Sequence, residues 1–174
     1  MSGNRLIITG SKGAGKTSAI AALSEFPPVL TEVPIGAEPF QGDRTTTTVA
    51  LDYGARHLDN GRRLLIFGTP GQRRFDFMCP ILARGAVGII ILIDHAAANP
   101  HDDLDYYVDL FRDSIADCGA VIGITHVDER PELPLDAYHQ LLDRRRLMLP
   151  VFSVDARRRD HIVTMIDALL ASVH

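Results

Sequence analysis

Apolar residues along this chain fall in short runs, and the stretches between the runs carry helical spacing. Arg5 to Thr9 reads as a buried strand, and after a glycine-rich stretch a helix is predicted from about Lys16 to Glu25. Phe26 to Gln41 carries Pro27, Pro28, Pro34 and Pro39 and is not expected to form one regular element. Val49 to Leu58 and Arg63 to Phe67 flank Asp59-Asn60-Gly61, and Asn-Gly between two extended runs predicts a hairpin. Val87 to Ile93, Ala120 to Thr125 and Leu149 to Val154 are three further short apolar strands. Asp102 to Ala116 and Leu135 to Arg146 have helical spacing between them, and Asp160 to Val173 closes the chain as a helix. One hairpin followed by strand–helix alternation predicts a three-layer α/β sandwich. Its sheet has about six strands, mostly parallel with one antiparallel edge strand, and helices on both faces. No repeat or linker divides the chain, so residues 1–174 are expected to form a single domain. Ligands of such sheets sit at the carboxyl ends of the strands.

Composition narrows the partners. The chain of 174 residues is 46% hydrophobic and 23% charged, enough to bury a core without disulfide staples. A formal charge of −4 gives no reason to expect nucleic acid or an anionic membrane as a partner. Cys79 and Cys118 stand far apart with no secretory pattern ahead of them, so free thiols and a cytoplasmic setting are expected. The longest apolar stretch, Ala86 to Ile93, is too short to span a bilayer, and the last residues lack a cysteine for prenylation. No direct membrane insertion is expected. The seven histidines have no zinc-ligand spacing.

Of 18 basic residues only two are lysines, Lys12 and Lys16, and both lie in Gly10-Ser-Lys-Gly-Ala-Gly15-Lys16-Thr17. This segment matches G-x-x-x-x-G-K-[ST] in full, directly after a predicted strand and before a predicted helix. Glycines let consecutive amides of Gly13, Ala14, Gly15, Lys16, Thr17 and Ser18 turn inward toward phosphate oxygens, and the helix adds its positive end. Lys16 supplies a point charge, and the Thr17 hydroxyl is a hard oxygen ligand for Mg2+. A glycine-rich turn with an incidental lysine is the bland alternative.

Four further segments fall in order at later strand ends: Arg44-Thr-Thr-Thr-Thr48-Val-Ala-Leu-Asp52-Tyr53, Phe67-Gly68-Thr69-Pro70-Gly71-Gln72, Thr125-His126-Val127-Asp128 and Phe152-Ser-Val-Asp155-Ala156-Arg157. With the phosphate loop they make the chain resemble the Ras-like small P-loop GTPase superfamily over nearly its whole length. The nearest likeness is to a prokaryotic branch with a Thr-Pro-Gly-Gln second switch, related to the bacterial gliding-motility polarity GTPases.

That resemblance implies roles. Thr48, with Thr47 as the second choice, would join Thr17 at the metal. Arg44 would act as an arginine finger in cis or stand as a solvated surface residue. Gly71 would meet the γ-phosphate through its N–H, and Gln72 would orient the attacking water. Asp128 would accept from guanine N1–H and the 2-amino group, beside Thr125 and the flat ring of His126, while Asp155, Ala156 and Arg157 close over the base.

Three positions depart from the pattern. Gly68 stands where the superfamily has a magnesium-associated aspartate, with Asp43, Asp52 and Asp94 as candidate substitutes. Lys12 stands where a glycine is usual, and Thr125 replaces an asparagine with a shorter side chain that is expected to tie its loop less firmly. The resemblance implies a switch that binds GTP or GDP with Mg2+ and hydrolyses GTP slowly, with a Roadblock-type activating partner. A guanine-nucleotide-binding module with little hydrolysis is the second reading, and a small P-loop kinase the third.

Overall fold

The computed structural model describes residues 4–36 and 46–172, with side chains described outside 32–50. Its strands are β1 (Arg5–Gly10), β2 (Val29–Gly36), β3 (Thr46–His57), β4 (Arg63–Gly68), β5 (Gly88–Asp94), β6 (Ala120–Thr125) and β7 (Val151–Ser153). The helices are α1 (Lys16–Leu23), α2 (Cys79–Ala83), α3 (Pro100–Leu110), α4 (Arg112–Cys118), α5 (Asp136–Arg144) and α6 (Arg159–Ser172). All seven strands form one sheet in the order β2-β3-β4-β1-β5-β6-β7. It is the expected mostly parallel sandwich, with β3 antiparallel to both of its neighbours.

The central strands show why the layers form. Ile89, Ile90, Ile91, Leu92 and Ile93 are all fully buried. Alternate residues serve opposite faces: Ile89, Ile91 and Ile93 pack in one cluster with Leu104, Phe111 and Tyr138, and Ile90 and Leu92 in another with Ile20, Ile162 and Met165. A continuous apolar run therefore marks a parallel strand covered on both faces. Helices α3 to α5 lie over the first face, α1 and α6 over the second.

Three elements differ from expectation. The proline-bearing stretch contains a strand, β2, paired antiparallel with β3 from Val29↔Tyr53 to Gly36↔Thr46. It occupies the edge of the sheet, where an interior proline such as Pro34 costs no ladder hydrogen bond if its nitrogen faces outward. The sheet thus has seven strands instead of about six. The helical spacing over 102–116 is split at Phe111, whose backbone (φ −103, ψ 14) leaves the helix while its ring is fully buried. Beyond Gln72 a 3-10 helix, Arg73–Met78, leads straight into α2, and neither is visible as periodicity in so short a span.

Both neighbours of β1 are parallel to it, yet the chain leaves β1 toward one edge and returns to β5 on its other side. Such a reversal leaves a crevice at the carboxyl ends of the strands, directly above β1.

Candidate functional site

The loop from β1 to α1 fills that crevice. Gly13 and Gly15 have φ of 85° and 102°, the left-handed region where a side chain is strained. At Gly15 a Cβ would also come within 2.8 Å of Ala156 Cβ. No side chain caps α1, so the first N–H groups of the helix face the crevice without a protein acceptor from a capping residue. Uncapped amides at a helix start form an anion site.

Lys16 reaches back over the loop, its Nζ donating to the carbonyls of Gly10 (2.7 Å) and Ser11 (2.8 Å). Burial pushes its pKa down to about 8, partly opposed by the carboxylates of Asp52 and Asp76 and by Cys79. The second-switch segment lies directly on this loop. A Cβ on Gly71 would meet Lys12 N and Cα at 3.0 Å and Lys16 Nζ at 3.1 Å, so only glycine passes here without displacing its neighbours. Thr69 is buried, its N–H bonded to the Ile8 carbonyl (2.9 Å) and its hydroxyl to that of Thr9 (2.8 Å). Gln72 is exposed at the start of the 3-10 helix.

Asp52 of β3 stands opposite Gly68 of β4. Its Oδ2 accepts the Thr17 hydroxyl at 2.5 Å. A Cβ at Gly68 would sit 3.3 Å from Asp52 Cβ and 2.8 Å from Ile20 Cδ1, so a carboxylate on β4 and the one on β3 would compete for one space. Of the two candidate substitutes among the described residues, Asp52 is the one brought to Thr17. Asp94 instead holds the His126 ring, and Asp43 lies outside the described residues. Arg44 lies outside them as well, as do the side chains of Thr47 and Thr48.

Lys12, Thr17, Asp52 and Gly71 line a cavity of about 450 Å3. A second cavity of about 440 Å3 is lined by Thr125, Asp128, Asp155, Ala156, Arg157 and His161. The two share Gly15, Ser18 and His126, so together they form one elongated site bent around the start of α1. The first end is rich in donors and cations, and the second is a slot between two loops.

Those loops are tied to the phosphate loop. Thr125 is 2% exposed, and its hydroxyl reaches the carbonyls of Ala14 (3.0 Å) and Ile93 (3.2 Å). The shorter side chain thus still spans to the phosphate loop. His126 adopts φ 55° and sets its Nδ1 2.8 Å from Asp94 Oδ1, which also accepts the Ala96 N–H. Asp128 is exposed in the 3-10 turn Val127–Glu129 at the rim of the slot. On the opposite wall the Arg157 backbone N–H and guanidinium both bond the Asp155 carboxylate, holding it well below the usual carboxylate range.

His161 was not foreseen. It stands in the first turn of α6, lines the slot, and accepts the Asp155 N–H on Nδ1 at 2.9 Å. That bond requires a bare Nδ1 and places the proton of the neutral ring on Nε2. No sequence spacing announces it, because its role arises from a helix turning back toward the loop that precedes it.

Among the described residues, no group of three His, Cys, Asp or Glu could hold a metal ion alone. A Mg2+ ion does not need one, since it keeps several waters and shares one or two protein oxygens with phosphates. Thr17 and Asp52, adjacent hard oxygens beside the phosphate loop, suit that pattern.

Residues 29–131 match the family described as conserved hypothetical ATP binding protein. The phosphate loop lies just ahead of that span. An uncharacterized protein of Methanocaldococcus jannaschii is 27% identical over 99 residues, covering 57% of this chain and 56% of that protein. The Ras-related protein Rab-18 of Lymnaea stagnalis is 26% identical over 107 residues, 60% of this chain and 46% of its own length. Rab-18-B of Danio rerio is 33% identical over 92 residues, 52% of this chain and 39% of its own. The chain spans about half the length of the curated relatives it matches.

Proposed function

Because the chain belongs to the family described as conserved hypothetical ATP binding proteins, we propose that it is a nucleotide switch whose ligands are GTP and GDP with Mg2+, and that it hydrolyses GTP slowly. The observation that carries the reading is the bent site itself: a glycine-rich loop with uncapped amides and Lys16 at one end, and Asp128 at the rim of a second cavity at the other. A carboxylate only accepts hydrogen bonds, and guanine presents two adjacent donors on the edge that would face it. Adenine presents an acceptor at N1, which a carboxylate repels. The guanine preference therefore rests on Asp128, although the family description mentions ATP.

In this reading the loop amides and Lys16 bind the β- and γ-phosphates, and Gly71 brings its N–H to the γ-phosphate end beside Lys12. Gln72, the next residue, orients the attacking water, with Arg44 as the candidate cis cation and Thr48 as the second threonine at the metal. Thr17 and Asp52 would hold Mg2+, which when bound neutralises charge on the phosphates. Ala156 offers its backbone N–H to the base, and His126 lays its ring beside it. The Roadblock-type partner is part of the proposal through the resemblance alone. Among the described residues no helix is long and apolar enough to cross a membrane. A module that binds without hydrolysing is the second reading, motivated by Gly68 and Lys12.

Titrating GTP, GDP and ATP with and without Mg2+, then following phosphate release in a single turnover, tests the proposal. Tight guanine-nucleotide binding with phosphate release above buffer is expected. Binding without release selects the second reading, and equal affinity for ATP defeats the guanine assignment.

Asp52→Asn keeps an acceptor for the Thr17 hydroxyl and removes the charge. The variant is expected to lose about tenfold of the gain in GTP affinity that Mg2+ provides, roughly 1.4 kcal/mol. Its affinity in chelator should stay within about twofold. Fluorescent-nucleotide dissociation with and without Mg2+ reads both, and an undiminished metal effect would remove Asp52 from the metal site.

Lys16 adds a pH dependence. Phosphate binding raises its pKa above the value of about 8 in the free protein. Below pH 8 both states carry the charge and affinity is full. As pH rises past 8 the free protein loses its proton first and must regain it on binding, so affinity falls. Calorimetry at pH 8.5, a value chosen to lie about half a unit above that midpoint, in buffers of different ionisation enthalpy should reveal proton uptake. A heat that does not depend on the buffer would contradict this.

A further inference from the structure

Between the second-switch segment and α3 lies a charged cluster that the nucleotide contacts do not use. Asp76, in the 3-10 helix four residues beyond Gln72, is 6% exposed. A buried carboxylate needs a partner, and it has one in the hydroxyl of Tyr106 on α3. Burial and the adjacent Asp76 push the Tyr106 hydroxyl up to about 12, so it keeps its proton and donates. Arg73 covers the Tyr106 ring, its guanidinium carbon 4.0 Å from the ring centre, and reaches Asp103 at 3.6 Å. Met78, fully buried, anchors the end of the same 3-10 helix, while Phe77 between them is exposed. The segment is thus fastened to the body of the protein at Asp76, Met78 and the Arg73 clamp. Just upstream, Gly71 lies against Lys12 and Lys16.

We propose that Tyr106 is a positioning residue whose hydroxyl, held by the Asp76 carboxylate under the Arg73 guanidinium, latches the segment bearing Gly71 and Gln72 onto α3 and so keeps it seated on the phosphate loop. The consequence for hydrolysis rests on the function proposed above, but the latch itself does not. Removing the hydroxyl leaves a buried carboxylate without its donor, and the 3-10 helix must open to hydrate it. Gln72, the residue that leads into this helix, then loses its anchor, while the base slot, on the other side of the phosphate loop, is untouched. The cost falls on turnover and leaves ground-state binding alone.

Amide hydrogen exchange on the full chain, ligand-free and with GDP, tests the latch. In Tyr106→Phe the amides of residues 73–79 are expected to exchange about tenfold faster, with those of β1 and β5 unchanged. Arg73→Gln, at an exposed position where folding is not at stake, should accelerate the same amides about threefold. Asp76→Asn, which keeps an acceptor for the hydroxyl, should retain most of the protection. Single-turnover GTP hydrolysis in Tyr106→Phe is expected to slow about tenfold while GDP affinity stays within twofold. Unchanged exchange in both Tyr106→Phe and Arg73→Gln overturns the latch. Faster exchange with an unchanged hydrolysis rate overturns the positioning role. If the unmodified protein releases no phosphate, the hydrolysis reading falls, and exchange decides the latch by itself.

Discussion

Lys16→Ala is expected to abolish tight binding of GTP and GDP, lowering affinity by about 10²–10⁴-fold, while leaving the protein folded. The ammonium now bonds two loop carbonyls at 2.7 and 2.8 Å. On binding it exchanges them for phosphate oxygens, and charge-assisted hydrogen bonds contribute roughly 1.5–3 kcal/mol each. Two such bonds set the range given. Folding is spared because truncation removes a cation whose burial already depresses its pKa to about 8, and the freed carbonyls border an open cavity that water can enter. Equilibrium binding of fluorescent GDP, alongside a thermal melt of the ligand-free variant, checks both halves. Retained affinity would mean that the loop is a structural turn and that the site lies elsewhere.

Asp128→Asn is expected to change which base is read. Against guanine, an amide replaces one of two acceptors with a donor that opposes the 2-amino group. Xanthine carries an oxygen at that position and satisfies both halves of the amide. A polar group set to hydrogen-bond one ligand discriminates strongly against a ligand that cannot reciprocate, because its partner is left unpaired. GTP affinity should fall about 10²–10³-fold, roughly 3–4 kcal/mol, and XTP affinity should rise until it exceeds that of GTP. Competition of GTP, XTP and ATP against a fluorescent nucleotide measures the ranking. The exposed position of Asp128 makes a folding defect an improbable cause of any loss. If GTP selectivity persists, the carboxylate does not face the base, and Thr125, His161 and the Ala156 amide would have to supply the recognition instead.

Elements with a long, uniform pattern were readable directly. The phosphate loop, the fully buried β5 and β6 and the hairpin turn at Asn60-Gly61 each depend on residues adjacent in the chain, so local order carries the information. β2 was not readable, because its strand character comes from pairing with β3 and four prolines around it argue the other way. The break at Phe111 was equally hidden: helical spacing runs through it, and the demand that splits α3 from α4 is the burial of one ring among residues from other elements.

The candidate site divides along the same line. The order of residue types along the chain placed a glycine-rich loop bearing both lysines after the first strand, and Asp128 and the Asp155–Arg157 loop at later strand ends. It could not choose between Asp52 and Asp94, because the register of β3 against β4 sets Asp52 opposite Gly68 and beside Thr17. Nor could it reveal the reach of Thr125 to Ala14, 111 residues away, the tautomer that His161 adopts against Asp155, or the hold of Tyr106 on Asp76. Side-chain chemistry travels with the sequence, but the distances that turn a carboxylate into a ligand, a latch or a bystander exist only after strands and helices have packed.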